Sequence, residues 1–202
     1  IMVEPSILIE HIRSIRLNAS GISSKMMRTP VALQHYYEVE GAGTLPPLVM
    51  LHGIGATATS FDGMYPILRK HYKKIIAPEA VGHGYSYNSK EYPTQELIFK
   101  SISSVLNEKL KEPAIVFGNS MGGAIAIEYA RKHPENVKAL LLCSPGGAYM
   151  EQKDWQNFLQ RFKVKNYLDG YNFMNSLLTK PHPISMLFSG YILKRLGSPF
   201  IQ

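Results

Sequence analysis

Short apolar runs alternating with longer amphipathic stretches constrain this chain more than any other feature of its sequence. Leu48–Leu51, bounded by Pro46-Pro47 and by His52-Gly53, is wholly apolar, and Lys74–Ala77, Ala114–Phe117 and Val137–Cys143 repeat the theme. Such a run suits a strand buried on both faces of a parallel sheet, whereas strict alternation marks a strand with one wet face. Helical stretches separate the runs, at Ser60–His71, Gln95–Lys111 and Met121–Arg131. Parallel strands need such crossovers, so the alternation predicts an α/β fold, a mostly parallel sheet flanked by helices. At 45% hydrophobic and 18% charged over 202 residues, the chain can fill the core of one domain or slightly more. Its longest apolar runs fall far short of the ~20 residues that a membrane span needs.

The flanks read differently. Residues 1–30 form an N-terminal helical arm, with Pro5 near the helix start and Leu8, Ile12 and Ile15 at helical spacing. That stripe fits either docking onto the rest of the protein or contact with a membrane surface. Val31–Val39 alternates apolar with polar residues and predicts a half-exposed strand, closed by the turn Gly41-Ala42-Gly43. The core is expected over 31–147. Beyond it, 148–202 reads as a helical cap broken at Gly170, Pro181, Pro183, Gly190 and Gly197, rich in Trp155, Phe158, Phe162, Tyr167, Phe173, Leu187 and Phe188.

Composition excludes several classes. The net charge is +7, but the basic residues sit in pairs near element ends, as at Arg69-Lys70 and Arg131-Lys132, so no nucleic-acid footprint is expected. The stretch from Glu151 onward is the most basic, and an anionic membrane surface or acidic substrate is the chemistry it would attract. The single cysteine, Cys143, reads as a small core residue rather than a nucleophile and forms no internal disulfide. Ile1-Met2-Val3-Glu4-Pro5 is no secretory signal, which points to a cytoplasmic location; an Ile at position 1 also suggests that the native start lies elsewhere.

The chemistry concentrates at Gly118-Asn119-Ser120-Met121-Gly122, a G-x-S-x-G continued by Gly123. The motif sits between an apolar strand and a helix. A sharp strand-to-helix turn strains its middle residue, and flanking glycines remove the clash, so Ser120 Oγ is expected at the carboxyl edge of the sheet as a nucleophile. A nucleophile of this kind needs an oxyanion hole. The Met121 amide is one candidate donor, and the loop His52-Gly53-Ile54-Gly55 supplies the Ile54 amide as the second. His52 reads as a loop brace rather than a base. No paired-Cys or H-x-x-x-H spacing suggests a metal, no phosphate-binding glycine motif is present, and no cofactor is expected.

With these residues in view, the sequence resembles the α/β-hydrolase superfamily over residues ~31–150. The likeness rests on the His-Gly strand end at Leu51–Gly55, the Gly-His-Gly-x-Ser turn at Gly82–Ser86, the elbow at Gly118–Gly123 and the strand end at Leu141–Pro145. Within it the chain looks like the bacterial lipase and esterase branch that contains monoacylglycerol lipases. The Gly-Asn-Ser-Met-Gly-Gly elbow is also similar to that of the meta-cleavage C–C bond hydrolases, although Gly55-Ala56-Thr57-Ala58 departs from their loop. Glu79 stands where the family usually has an Asp of structural role. The resemblance implies a serine hydrolase taking a small-molecule ester or lipid with an apolar acyl chain, with a C–C bond hydrolase or a non-catalytic binding module as alternatives.

A triad also needs a histidine and an acid, which the family places after Ser120 on loops following its last strands. The histidines after Ser120 are His133 and His182. His133 closes the helix that begins at the elbow, about 15 Å away at 1.5 Å per residue. His182, Asp154 and Asp169 fall in the cap. None is assigned, and the family's base and acid are expected outside these 202 residues.

Overall fold

The computed structural model describes residues 5–86 and 93–196. Residues Ile7–Gly147 form one compact unit, and Ile1–Ser6 with Ala148–Gln202 a second. The first unit is built on a six-stranded sheet in the order β1-β2-β4-β3-β5-β6. Its strands are β1 (Ser23–Arg28), β2 (Leu33–Glu40), β3 (Leu48–Leu51), β4 (Lys74–Pro78), β5 (Ala114–Asn119) and β6 (Val137–Cys143). β3, β4, β5 and β6 run parallel, while β1 and β2 join antiparallel at one side.

The apolar runs are continuous because both faces of the sheet are covered. On one face Val49, Leu51, Ile76 and Val116 meet Ile102, Val105 and Leu106 of α3 (Gln95–Lys109) and Ile125, Ala126 and Tyr129 of α4 (Met121–Lys132). On the other, Leu48, Met50, Ile75 and Ala77 meet Leu17 of α1 (Pro5–Ala19), Ile22, Phe61, and Tyr65 of α2 (Tyr65–Leu68). Each fully buried aliphatic side chain contributes roughly 1.5–3 kcal/mol. Thr94 caps α3 by accepting the Leu97 N–H at 3.1 Å, and Arg131 and Lys132 close α4 where its dipole favours cations.

Several expectations are corrected. The helix expected over 60–71 shrinks to α2, after a 3-10 turn at Ala58–Phe61. Gly63 interrupts the segment, and Pro66 has no N–H to give a preceding turn, so it fits only at the start of a helix. β1 was not foreseen: Ser-Ser-Lys-Met-Met-Arg is polar and exposed, and β2 alone sets its register. β2 is buried through its interior rather than half-exposed, since Tyr36 packs into the core on one face of the sheet and Tyr37 and Val39 into that on the other. β6 is largely exposed, Cys143 with it, because among the described residues it has a neighbour on one side only.

In α1 the stripe of Leu8, Ile12 and Ile15 faces outward, at 46%, 55% and 56% exposure, while Ser14 and Leu17 face in. In the second unit, α5 (Gln152–Gln160), α6 (Tyr167–Ser176) and α7 (Ile184–Leu196) follow in order. Gly170 and Gly190 lie within α6 and α7 instead of breaking them. A Cβ at Gly170 would stand 2.5 Å from the Ser189 carbonyl oxygen, and one at Gly190 3.0 Å from the Tyr167 ring, so both glycines let the two helices approach. Trp155, Phe158, Phe162 and Phe173 form a row with centroid separations of 5.8, 5.1 and 5.5 Å. Gly197 and the side chains of Leu187 and Phe188 lie outside the described residues.

Candidate active site

Ser120 occupies the single-residue turn between β5 and α4, with φ 51° and ψ −115°. Positive φ at a residue with a side chain costs of order 1–3 kcal/mol and persists only where the surroundings over-determine it. They do so here through backbone bonds. The Ser120 N–H donates to the Cys143 carbonyl at 3.0 Å, while the Ser120 carbonyl accepts from Gly123, Ala124 and Gly146 at 2.9, 3.2 and 2.8 Å. The end of β6 and the loop after it therefore clamp the turn from one side, and the first turn of α4 clamps it from the other. Ser144, in that same loop, also has positive φ, at 43°.

The glycines around Ser120 are sites of close approach. A Cβ at Gly118 would lie 2.4 Å from the Gly122 carbonyl oxygen, and one at Gly123 2.7 Å from Pro145 Cβ. At Gly122 it would lie 2.2 Å from the Leu51 carbonyl oxygen, which is backbone and cannot yield. Gly122→Ala is accordingly expected to destabilise the protein by about 2 kcal/mol in urea denaturation. Helix propensity alone favours Ala by up to ~1 kcal/mol, so a stabilised variant would show that the overlap is absent.

Gly53 faces the turn from the end of β3. A Cβ there would stand 3.0 Å from Asn119 Oδ1 and 3.4 Å from Ser120 Cβ. The structure thus brings together Ser120, Met121, Gly118 and Gly122 with the loop of His52, Gly53 and Ile54. Among the described residues neither the Met121 nor the Ile54 amide donates to a protein acceptor, as befits the first turn of a helix and an open glycine loop. Ser120 Oγ does not cap α4. The hydroxyl is half-buried and has no hydrogen bond to another described side chain.

Two histidines shape that loop, and only one was singled out from the sequence. The Ala80 N–H donates to His52 Nε2 at 3.0 Å, and the Gly55 N–H donates to His83 Nε2 at 3.1 Å. A backbone N–H can only donate, so in each ring Nε2 is the acceptor and the proton rides on Nδ1. From there His52 donates to the Gly53 carbonyl at 2.8 Å and His83 to that of Val81 at 3.3 Å. Both rings are buried, at 2% and 5% exposure, and serve the backbone.

Beneath them Glu79, wholly buried, holds the Gly82–Ser86 turn. Its Oε2 accepts from the Tyr85 N–H at 2.7 Å and from His35 Nδ1 at 2.9 Å, and its Oε1 accepts from the Ala58 N–H at 3.3 Å. Its carboxylate fills the space that a Cβ on Gly84 would need. Burial foremost, with the charge of Glu79, pushes the Tyr65 phenol well above its ordinary range. Tyr65 stays protonated and donates to the Ala58 carbonyl at 2.7 Å. The sequence's signal for this hub was the acid ahead of the Gly-His-Gly turn; nothing in it flagged His35.

Of the remaining titratable candidates, one belongs to the first unit. His133 is the C-cap of α4, packed on Tyr129 at 4.8 Å and 3.8 Å from Glu135. His182, Asp154 and Asp169 belong to the second unit, where Asp169 accepts from the Lys165 N–H at 2.9 Å. Within the first unit no described histidine is hydrogen-bonded to Ser120 Oγ. Nor do three His, Cys, Asp or Glu side chains converge there on a metal position.

Known proteins resemble this chain in sequence and in fold. The chain is 31% identical over 135 residues to a 2-hydroxymuconate semialdehyde hydrolase of Pseudomonas sp. (strain CF600), covering 65% of this chain and 47% of that one. It is 26% identical over 133 residues to a pimeloyl-[acyl-carrier protein] methyl ester esterase of Nitrosospira multiformis, covering 65% and 50%. The chain thus spans about half the length of these curated relatives. The crystal structure of naproxen esterase from Bacillus subtilis superposes with TM-score 0.72 at 18% identity, covering 96% of this chain and 70% of that one, a likeness of fold. The model of the alpha/beta hydrolase fold matches residues 46–185, well over half of the sequence, and the chain belongs to that family.

Proposed function

We propose that Ser120 is the nucleophile of a serine hydrolase acting on carboxylic esters. The single observation that carries this reading is the strained φ of Ser120, held by backbone bonds from two elements, with a hydroxyl spent on no cap. Such strain is retained where it positions a reacting group. Ser120 Oγ attacks the ester carbonyl, and the Ile54 and Met121 amides donate to the oxyanion that forms. A histidine, oriented by an acid, takes the serine proton and returns it to the leaving alcohol; water then cleaves the acyl-enzyme by the same route. None of the histidines and acids described above is assigned to these roles, and the chain spans about half the length of its curated relatives.

An apolar acyl group is the substrate chemistry that the likeness to lipases and esterases implies. The lipase and esterase branch, monoacylglycerol lipases included, fits this reading. A second reading, cleavage of a C–C bond in a meta-cleavage product, is favoured by the match to the semialdehyde hydrolase and uses the same serine. The test is reaction with a fluorophosphonate followed by peptide mass spectrometry. A single adduct on the peptide holding Ser120 is expected. A folded protein that binds ester analogues yet gains no adduct there would be a binding module instead.

A further inference from the structure

We infer that α1 and the neighbouring α2 form a docking surface for an anionic lipid bilayer. Leu8, Ile12 and Ile15 fall at i, i+4 and i+7, and at 100° per residue they span about 60° of the helix circumference. Leu17, which enters the core at 3% exposure, lies about 180° from Leu8. α1 is therefore anchored by its inner face, and its apolar stripe is left outward. Arg13 reaches Asp62 at 3.7 Å and Arg69 donates to the Ser20 carbonyl at 3.1 Å, so the segment around α2 lies alongside α1. It adds the exposed Met64 and Ile67, at 40% and 61%.

Charge selects the partner. Over these two segments Arg13, Arg16, Arg69 and Lys70 stand against Glu10 and Asp62, and Asp62 is neutralised by Arg13. Arg16 flanks the stripe, about 40° from Ile12, and Lys70 follows the exposed Ile67. An apolar helix face with cations beside it, lying flat, is the form that inserts at a headgroup boundary. A second copy of the chain fits worse, since a two-fold contact through this face would bring together two surfaces of the same net positive charge. The inference stands apart from the role proposed for Ser120.

Co-sedimentation of the full chain with vesicles of phosphatidylcholine, with and without phosphatidylglycerol, tests it. Binding is expected to the anionic vesicles, to weaken as salt rises, and to fall about fivefold in Arg16→Ala. The pair Ile12→Asp with Ile15→Asp, both exposed, is expected to abolish binding while leaving the urea midpoint unchanged. No binding by the native chain, or equal binding by the Asp pair, would overturn the proposal. So would a dimer that the Asp pair dissociates without any affinity for vesicles.

Discussion

Ser120→Ala is expected to lower the turnover of an activated apolar ester by about 10⁴- to 10⁶-fold in the full-length protein, the range seen when a hydrolytic serine is removed. The fold should survive, because Ser120 Oγ caps nothing and the bonds holding the turn are backbone bonds. Stability within about 0.5 kcal/mol of the native protein is therefore expected for Ala. Ser120→Gly separates strain from chemistry. Glycine accepts φ 51° without penalty, so this variant should be as inactive as Ala yet more stable by about 1 kcal/mol. Turnover that survives in both variants would remove Ser120 from the mechanism. A Gly variant no more stable than Ala would show that the turn stores no strain.

The site was legible in the sequence where chemistry demands a residue type with almost no alternatives. Gly118, Gly122 and Gly123 admit no side chain, Gly53 must let a loop approach Ser120, and those demands leave a motif that can be read linearly. The supports were not legible. His83, Gly146 and the Cys143 carbonyl act through approaches between distant segments, and neither spacing nor composition encodes which carbonyl faces which amide. Cys143 shows this well: the thiol attracted attention, while its backbone oxygen does the holding.

The fold divides in the same way. β3 and β4 were readable because both faces are buried, so every position is constrained. β1 was not, since an exposed edge strand constrains almost none of its side chains. Periodicity located α1 but not its orientation. The helix buries Ser14 and Leu17 rather than its apolar stripe, a choice made by the surface it meets and invisible to a helical wheel. In β6 the apolar pattern suits an interior strand, yet Leu141 and Leu142 are exposed at the edge. Pattern reports what a strand is made to bury, and the neighbours present decide what it does bury.

Glu79→Ala carries the largest expected cost in stability, about 3–5 kcal/mol by urea or thermal denaturation. The carboxylate accepts from two backbone amides and from His35, all in a site closed to water, and removing it orphans each donor. A buried donor left unpaired costs about 1–3 kcal/mol, and three donors lose their acceptor together. Glu79→Gln keeps the shape but replaces one acceptor with an NH₂ that must face N–H donors, so it should lose nearly as much. Glu79→Asp retains both acceptors and gives up one methylene of reach, for an expected loss of about 1 kcal/mol. The order Asp, then Gln, then Ala is the signature of an acceptor hub. Gln as mild as Asp would mean that side-chain volume beside Gly84, rather than accepted hydrogen bonds, sets the turn. Because the Gly82–Ser86 turn carries His83, which accepts the Gly55 N–H, Glu79→Asp should also disturb the loop of Ile54. With the Ile54 amide in the oxyanion role proposed for it, a fall in kcat with KM nearly unchanged is expected, since such a donor acts mainly in the transition state.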